Sequence, residues 1–93
     1  MKITFYPPKR LWTLSERGLD FAVDAEKVFS GRIVTSIDDR FDYGEVRYST
    51  AGWLGDRMVT VIWTQRGDAR HIISMRFCHG REVKKILRRF DAV

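Results

Sequence analysis

The chain has 93 residues, 44% hydrophobic and 13% aromatic, which suits one compact domain with a core and excludes wholesale disorder. Its 17 Lys and Arg outnumber 12 Asp and Glu for a net charge of +5, a balance that favours polyanionic partners. A lone cysteine, Cys78, excludes an internal disulfide, MKITFYPP is no signal peptide, and no apolar run approaches the roughly 18 residues that span a bilayer; a soluble, cytoplasmic protein without membrane contact is expected.

KITFY predicts a short strand, with Ile3 and Phe5 alternating with Lys2 and Thr4. Pro7 and Pro8 end it, and Pro8 suits the first turn of a helix that runs through KRLWTLSER to a cap at Gly18. Asp20 is the expected N-cap of a second helix, FAVDAEKVFSG, in which Phe21, Ala25, Val28 and Phe29 have helical spacing. Two strands, RIVTSID and EVRYSTAGW, flank a charged turn, DDRFDYG. LGDR then returns MVTVIWT antiparallel, and QRGD leads into ARHIISMRF. REVKKILRRF closes the chain as an amphipathic helix with Val83, Ile86, Leu87 and Phe90 on one face. The order β-α-α-β-β-β-β-α predicts an α+β fold over residues 1–93, a mostly antiparallel sheet with two N-terminal helices and one C-terminal helix. Trp12 and Trp63 are expected in the core.

The positive excess is not spread evenly. Residues 76–93 carry six basic and two acidic side chains, whereas residues 1–75 carry eleven and ten. Strict alternation in ARHIISMRF sends His71, Ile73, Met75 and Phe77 under the helices, and Arg70, Ile72, Ser74 and Arg76 to the other side. Thr60, Ile62, Thr64 and Arg66 share a phase in the preceding strand, as do Glu45, Arg47, Ser49 and Ala51 before it. Aligned, these faces make a concave surface bearing Arg66, Arg70, Ser74 and Arg76.

Arginines so grouped suit phosphate, which the guanidinium fork binds bidentately. The easiest chemistry there is cleavage of RNA by its own 2′-hydroxyl, which needs no metal or cofactor but requires a base, an acid and cations around the phosphorane. Lys9, His79 and Glu82 are candidates for proton transfer, and Arg66 and Arg76 for charge stabilisation. His71 falls on the expected apolar face and reads as packed. Cys78 and His79 are adjacent rather than spaced as metal ligands, and no phosphate-cradling glycine loop occurs. A helix-turn-helix reader is disfavoured by Asp24 and Glu26 on the second helix; a non-catalytic binding module is the competing reading.

The stretches KITFYPPKR, RGLDFAVDAEKVF and VTVIWTQRGDARHIISMR, followed by Glu82, resemble the BrnT toxins of bacterial type II toxin–antitoxin systems across nearly the whole chain. The resemblance implies a RelE-like ribonuclease that cleaves RNA and blocks translation. It also implies a BrnA-type antitoxin, a complex of two toxins with two antitoxins, and operator DNA bound only through the antitoxin. By position it assigns catalysis to Lys9, Arg66, Ser74, Arg76 and Glu82, with His79 added from the chemistry above. Arg17, Arg70, Lys84, Lys85, Arg88 and Arg89 are expected to bind RNA. The chain departs from the family pattern where Arg17 replaces a usual His, Thr13 a common Asn, and where a usual Tyr after the late Glu is missing.

Overall fold

Prolines after the first strand and Gly-Asp turns between the last three partition the chain much as its sequence implies. The computed structural model describes residues 1–92. They form β1 (Lys2–Phe5), α1 (Pro7–Arg17), α2 (Asp24–Ser30), β2 (Val34–Ile37), β3 (Tyr48–Leu54), β4 (Arg57–Arg66), β5 (Ala69–Phe77) and α3 (Gly80–Asp91). The expected α+β element order is present.

The five strands make one mixed sheet in the order β1-β5-β4-β3-β2, with β1 parallel to β5 and every other pair antiparallel. The β4–β5 hairpin turns on Gly67, whose φ of 60° lies in the left-handed region that two-residue hairpin turns favour. That turn sets Arg66 opposite Ala69 and Thr64 opposite His71.

Two apolar clusters fix the layers. Leu19 and Phe21 of the α1–α2 connection and Ala25 and Val28 of α2 pack against Val59, Val61, Trp63, Ile72 and Met75 on one face of the sheet. Close approach of α2 depends on Gly52, where a Cβ would lie 2.9 Å from Val28 Cγ1 and 3.0 Å from Ile33 Cγ2. On the opposite face, Ile86 and Phe90 of α3 pack on Val34, Ala51 and Met58. The last helix therefore covers only the β2–β4 part of that face and leaves the rest as an open groove.

Four expectations need correction. Helix α2 starts at Asp24, not after Asp20. Arg10 donates to both Asp20 carboxylate oxygens at 2.8 and 3.0 Å, Ala22 N–H donates to the same carboxylate, and Asp20 N–H donates to Asp24. These bonds hold residues 21–23 as a turn that drops Phe21 fully into the core. Trp12 is 46% exposed, because α1 turns Thr13 to the core instead; Lys9 and Arg17 lie over its ring, each 5.1 Å from the centroid. Strand β3 starts at Tyr48, so residues 38–47 form a longer connection than a turn.

The fourth correction bears most on function. Ser74 pairs with Ile62 and Ile72 with Trp63, so Ile73 is an extra residue, a β-bulge that resets the alternation of β5. Beyond it, Ser74 and Arg76 face the groove as expected. Before it, the faces are exchanged. Arg70 turns to the helix side, its guanidinium 4.0 Å from the Phe29 ring centroid and 5.1 Å from that of Trp63. His71, expected under the helices, lines the groove with Ile73.

Candidate active site

Where β5 runs into α3, the chain brings a strand arginine against a helix carboxylate. Arg76 Nη1 and Nη2 donate to Glu82 Oε1 and Oε2 at 2.6 and 2.5 Å, a fork-to-fork pair that charge makes stronger than neutral hydrogen bonds. Glu82 is the third residue of α3 and also accepts from His79 N–H at 3.3 Å, which ties the pair to the helix N-terminus. The Arg76 guanidinium pushes the Glu82 carboxyl down to about 2, and Glu82 raises Arg76 in turn. A carboxylate so held carries charge but is a poor carrier of protons near neutrality.

Arg76 stands where three concavities meet. The largest, about 520 Å³, has Ile62 and Ile73 on its floor with Ser36, Ser49 and Ser74. Arg17, Arg76 and Glu82 also line it, and the 38–47 connection adds Asp38, Asp39, Arg40, Tyr43 and Arg47. A second, bounded by Glu16, Arg17, Phe77 and His79, and a third, bounded by Thr60, Lys85 and Arg89, also reach Arg76. Arg17 gets there because β1 pairs with β5 only as far as Ile72; its Nη1 donates to the free Met75 carbonyl at 2.8 Å.

A separate cationic hollow lies towards the β4–β5 turn. Lys9, Arg66 and His71 line it with Tyr6, Glu45 and Arg47, and Ile73 and Arg47 border it and the main cavity alike. His71 Nδ1 is 2.9 Å from Thr4 Oγ1, and burial, then the charge of Arg66, lowers its pKa against a smaller opposing pull from Glu45. Arg76 lies opposite Thr60, and Arg66 is six residues further along β4, roughly 20 Å of strand at 3.3–3.4 Å per residue. The two arginines thus mark different stations along one groove.

A family model described as the ribonuclease toxin BrnT of type II toxin–antitoxin systems matches residues 5–82. The chain belongs to the BrnT family. No curated protein matches it. Membership makes the chain one of a family of ribonuclease toxins and implies an antitoxin partner. The BrnT match ends at Glu82, so the Arg76–Glu82 pair falls within it, while Lys84, Lys85, Arg88 and Arg89 lie beyond.

The residues picked out from sequence divide accordingly. Arg76, Ser74, Glu82 and Arg17 line the main cavity, and His79 joins Arg17 and Arg76 in the next. Lys9 and Arg66 occupy the separate hollow. On α3, Lys85 and Arg89 share the Glu82 side and extend the basic surface from Arg76, whereas exposed Lys84 and Arg88 line none of these cavities. Arg70 is outside the groove altogether. The sequence reading missed His71, which the bulge exposes, and the Asp38–Arg40–Tyr43 wall. Arg47 was in phase with the open face, a signal that could have found it. Cys78 is half-buried beside Thr60 Oγ1, and burial raises its thiol pKa, which suits packing rather than attack. Among the described residues no group of three or more His, Cys, Asp or Glu is placed to hold a metal ion, and no helix is long and apolar enough to cross a membrane.

Proposed function

We propose that this BrnT toxin cleaves RNA by internal transesterification, with the scissile phosphate on Arg76. The observation that carries the reading is the Arg76–Glu82 fork at the junction of three groove cavities. Two of the five guanidinium N–H groups point at Glu82, which leaves three for phosphate oxygens. The substrate 2′-hydroxyl attacks phosphorus, the 5′ oxygen leaves, and the products are a 2′,3′-cyclic phosphate and a 5′-hydroxyl. Because the nucleophile belongs to the substrate, the step needs no metal. Arg76 and Arg17 stabilise the charge that builds on the phosphorane, and Ser74 offers a neutral hydrogen bond. His79, sharing a cavity with both arginines, moves the proton; Glu82 holds Arg76 in place. Lys9, Arg66 and His71 grip a different phosphate of the same strand, and Lys85 and Arg89 extend the path.

In the cell this activity would inhibit translation in the cytoplasm until a BrnA-type antitoxin, in a two-to-two complex, covers the groove; RelE-like architecture and the antitoxin's hold on operator DNA belong to the same reading. Purified protein is expected to cut single-stranded RNA in EDTA and to leave cyclic phosphate ends, and a 2′-deoxy residue at the cut should block it. Cutting that survives Arg66→Ala with Arg76→Ala would overturn the site. Two observations favour a non-catalytic binding module instead: Arg17 stands where the family resemblance expects a His, and Glu82 is tied to Arg76. Salt-sensitive RNA binding without turnover, and no growth arrest on expression, would decide for it.

A further inference from the structure

The connection between β2 and β3 carries a stacked pair that the cleavage chemistry does not use. The Arg47 guanidinium carbon lies 3.9 Å from the centroid of the Tyr43 ring, and Phe41 meets that ring edge-on at 5.8 Å. Both members are held firmly. Tyr43 Oη donates at 3.3 Å to Asp38, which is 8% exposed and which Arg40 clamps through two N–H groups at 2.7 and 3.0 Å. Asp38 N–H donates to the Arg47 carbonyl at 2.8 Å, and Arg47 Nε donates to Glu45 at 3.3 Å. Neither Tyr43 nor Arg47 belongs to either apolar cluster of the fold.

What the pair does share is a cavity with Arg76. Tyr43 and Arg47 line the same 520 Å³ space, with Ile62 and Ile73 as an apolar floor. That volume lies within the roughly 300–1,000 Å³ of sites that enclose small molecules. A flat aromatic–guanidinium surface is what an unpaired base stacks on, since every base has a π-face and arginine adds a cation–π contribution.

Resting on the ribonuclease reading, we infer that Tyr43 and Arg47 form a nucleobase subsite for the nucleotide whose phosphate lies on Arg76. The substrate is then unpaired RNA with one base turned out of its stack, because a duplex keeps its faces covered. Stacking accepts any base, so the subsite contributes affinity and register rather than strict sequence choice.

The test uses a 2′-O-methyl RNA hexamer, which lacks the attacking hydroxyl, with binding read by fluorescence anisotropy. One abasic position is walked along it. On the wild-type protein one position should cost about ten-fold in affinity when its base is removed. The same abasic position should cost less than about two-fold with Tyr43→Leu or with Arg47→Lys, which keeps charge but not the plane, while Tyr43→Phe keeps the full penalty. A wild-type scan with no position-dependent penalty overturns the subsite whether or not the variants fold, and so does a penalty that stays at its wild-type size in both Tyr43→Leu and Arg47→Lys. Cleavage of ordinary RNA separates the two readings: a protein that cuts but shows no abasic penalty loses only the subsite. One that shows the penalty but does not cut loses only the ribonuclease reading.

Discussion

Arg76 and Glu82 meet in parallel hydrogen bonds of 2.6 and 2.5 Å between the open face of β5 and the first turn of α3. The pair joins the sheet to the helix that covers part of one of its faces. It also fixes the direction of the one guanidinium that all three cavities share.

Arg76→Ala is therefore expected to lower RNA cleavage by about 100-fold or more, in the range seen when a charge-stabilising donor is lost. Both side chains keep contact with water, so the cost in stability should stay near 1 kcal/mol. Cleavage rates and a melting curve on the same preparation check both halves. Unfolding of the variant would place Arg76 in the scaffold instead.

Glu82 gives a pH signature. Its folded pKa, about 2, is below the ordinary 4.5, so its contribution to stability is present above pH 4.5 and is lost as pH falls towards 2. Asp20 and Asp38 are lowered by their own arginines and act in the same direction. The difference between wild-type and Glu82→Gln melting curves isolates Glu82, and it should shrink as the buffer is taken from pH 5 to pH 2.5.

His71 and His79 should separate in kinetics. His79→Gln is expected to reduce kcat by at least about ten-fold, as loss of a proton carrier does. His71→Gln should mainly raise KM, because His71 lies in the hollow with Arg66 and Lys9. The His71 ring should titrate below 6.5 by NMR, and Arg66→Gln should move it back up by removing one of the two lowering influences. A drop in kcat confined to His71→Gln would move the chemistry to that hollow.

Arg70 tests the bulge. Its guanidinium lies over Phe29 and Trp63 on the helix side, so Arg70→Gln should cost about 1 kcal/mol in stability and leave cleavage and RNA affinity unchanged. A selective loss of RNA affinity would put the side chain back in the groove.

Salt dependence should distinguish the two flanks of α3. Lys85→Ala with Arg89→Ala is expected to flatten the slope of log affinity against log salt by roughly 0.7 per lost phosphate contact. Lys84→Ala with Arg88→Ala should change it much less.

Much of this architecture was legible in the chain. Alternation in β4 placed Val59, Val61 and Trp63 inward and Thr60, Ile62 and Thr64 outward, because that strand runs through without interruption. The same rule misled in β5 because a bulge is set by the cross-strand register, which leaves no mark on the pattern of side chains in HIISMR. Asp20 looked like an N-cap and does accept a nearby N–H, but Arg10, ten residues earlier in sequence, turns it to a tertiary role. The Asp38–Arg40–Tyr43 wall read only as a charged turn, since nothing in DDRFDYG shows that Asp38 is buried. Arg76 and Glu82 could each be chosen from sequence; that they bind each other could not.

The bulge at Ile73 gives the hairpin an uneven tolerance to changes in length. A residue added at the Gly67–Asp68 turn would lengthen a loop and leave both strands in register. Removing Ile73 would restore continuous pleating, so that one half of β5 must turn over. Either His71 leaves the groove, or Ser74 and Arg76 do. A single codon in mid-strand thus determines which side chains meet the substrate, and deletions there should be scarcer among functional variants than deletions at the tip only a few residues away.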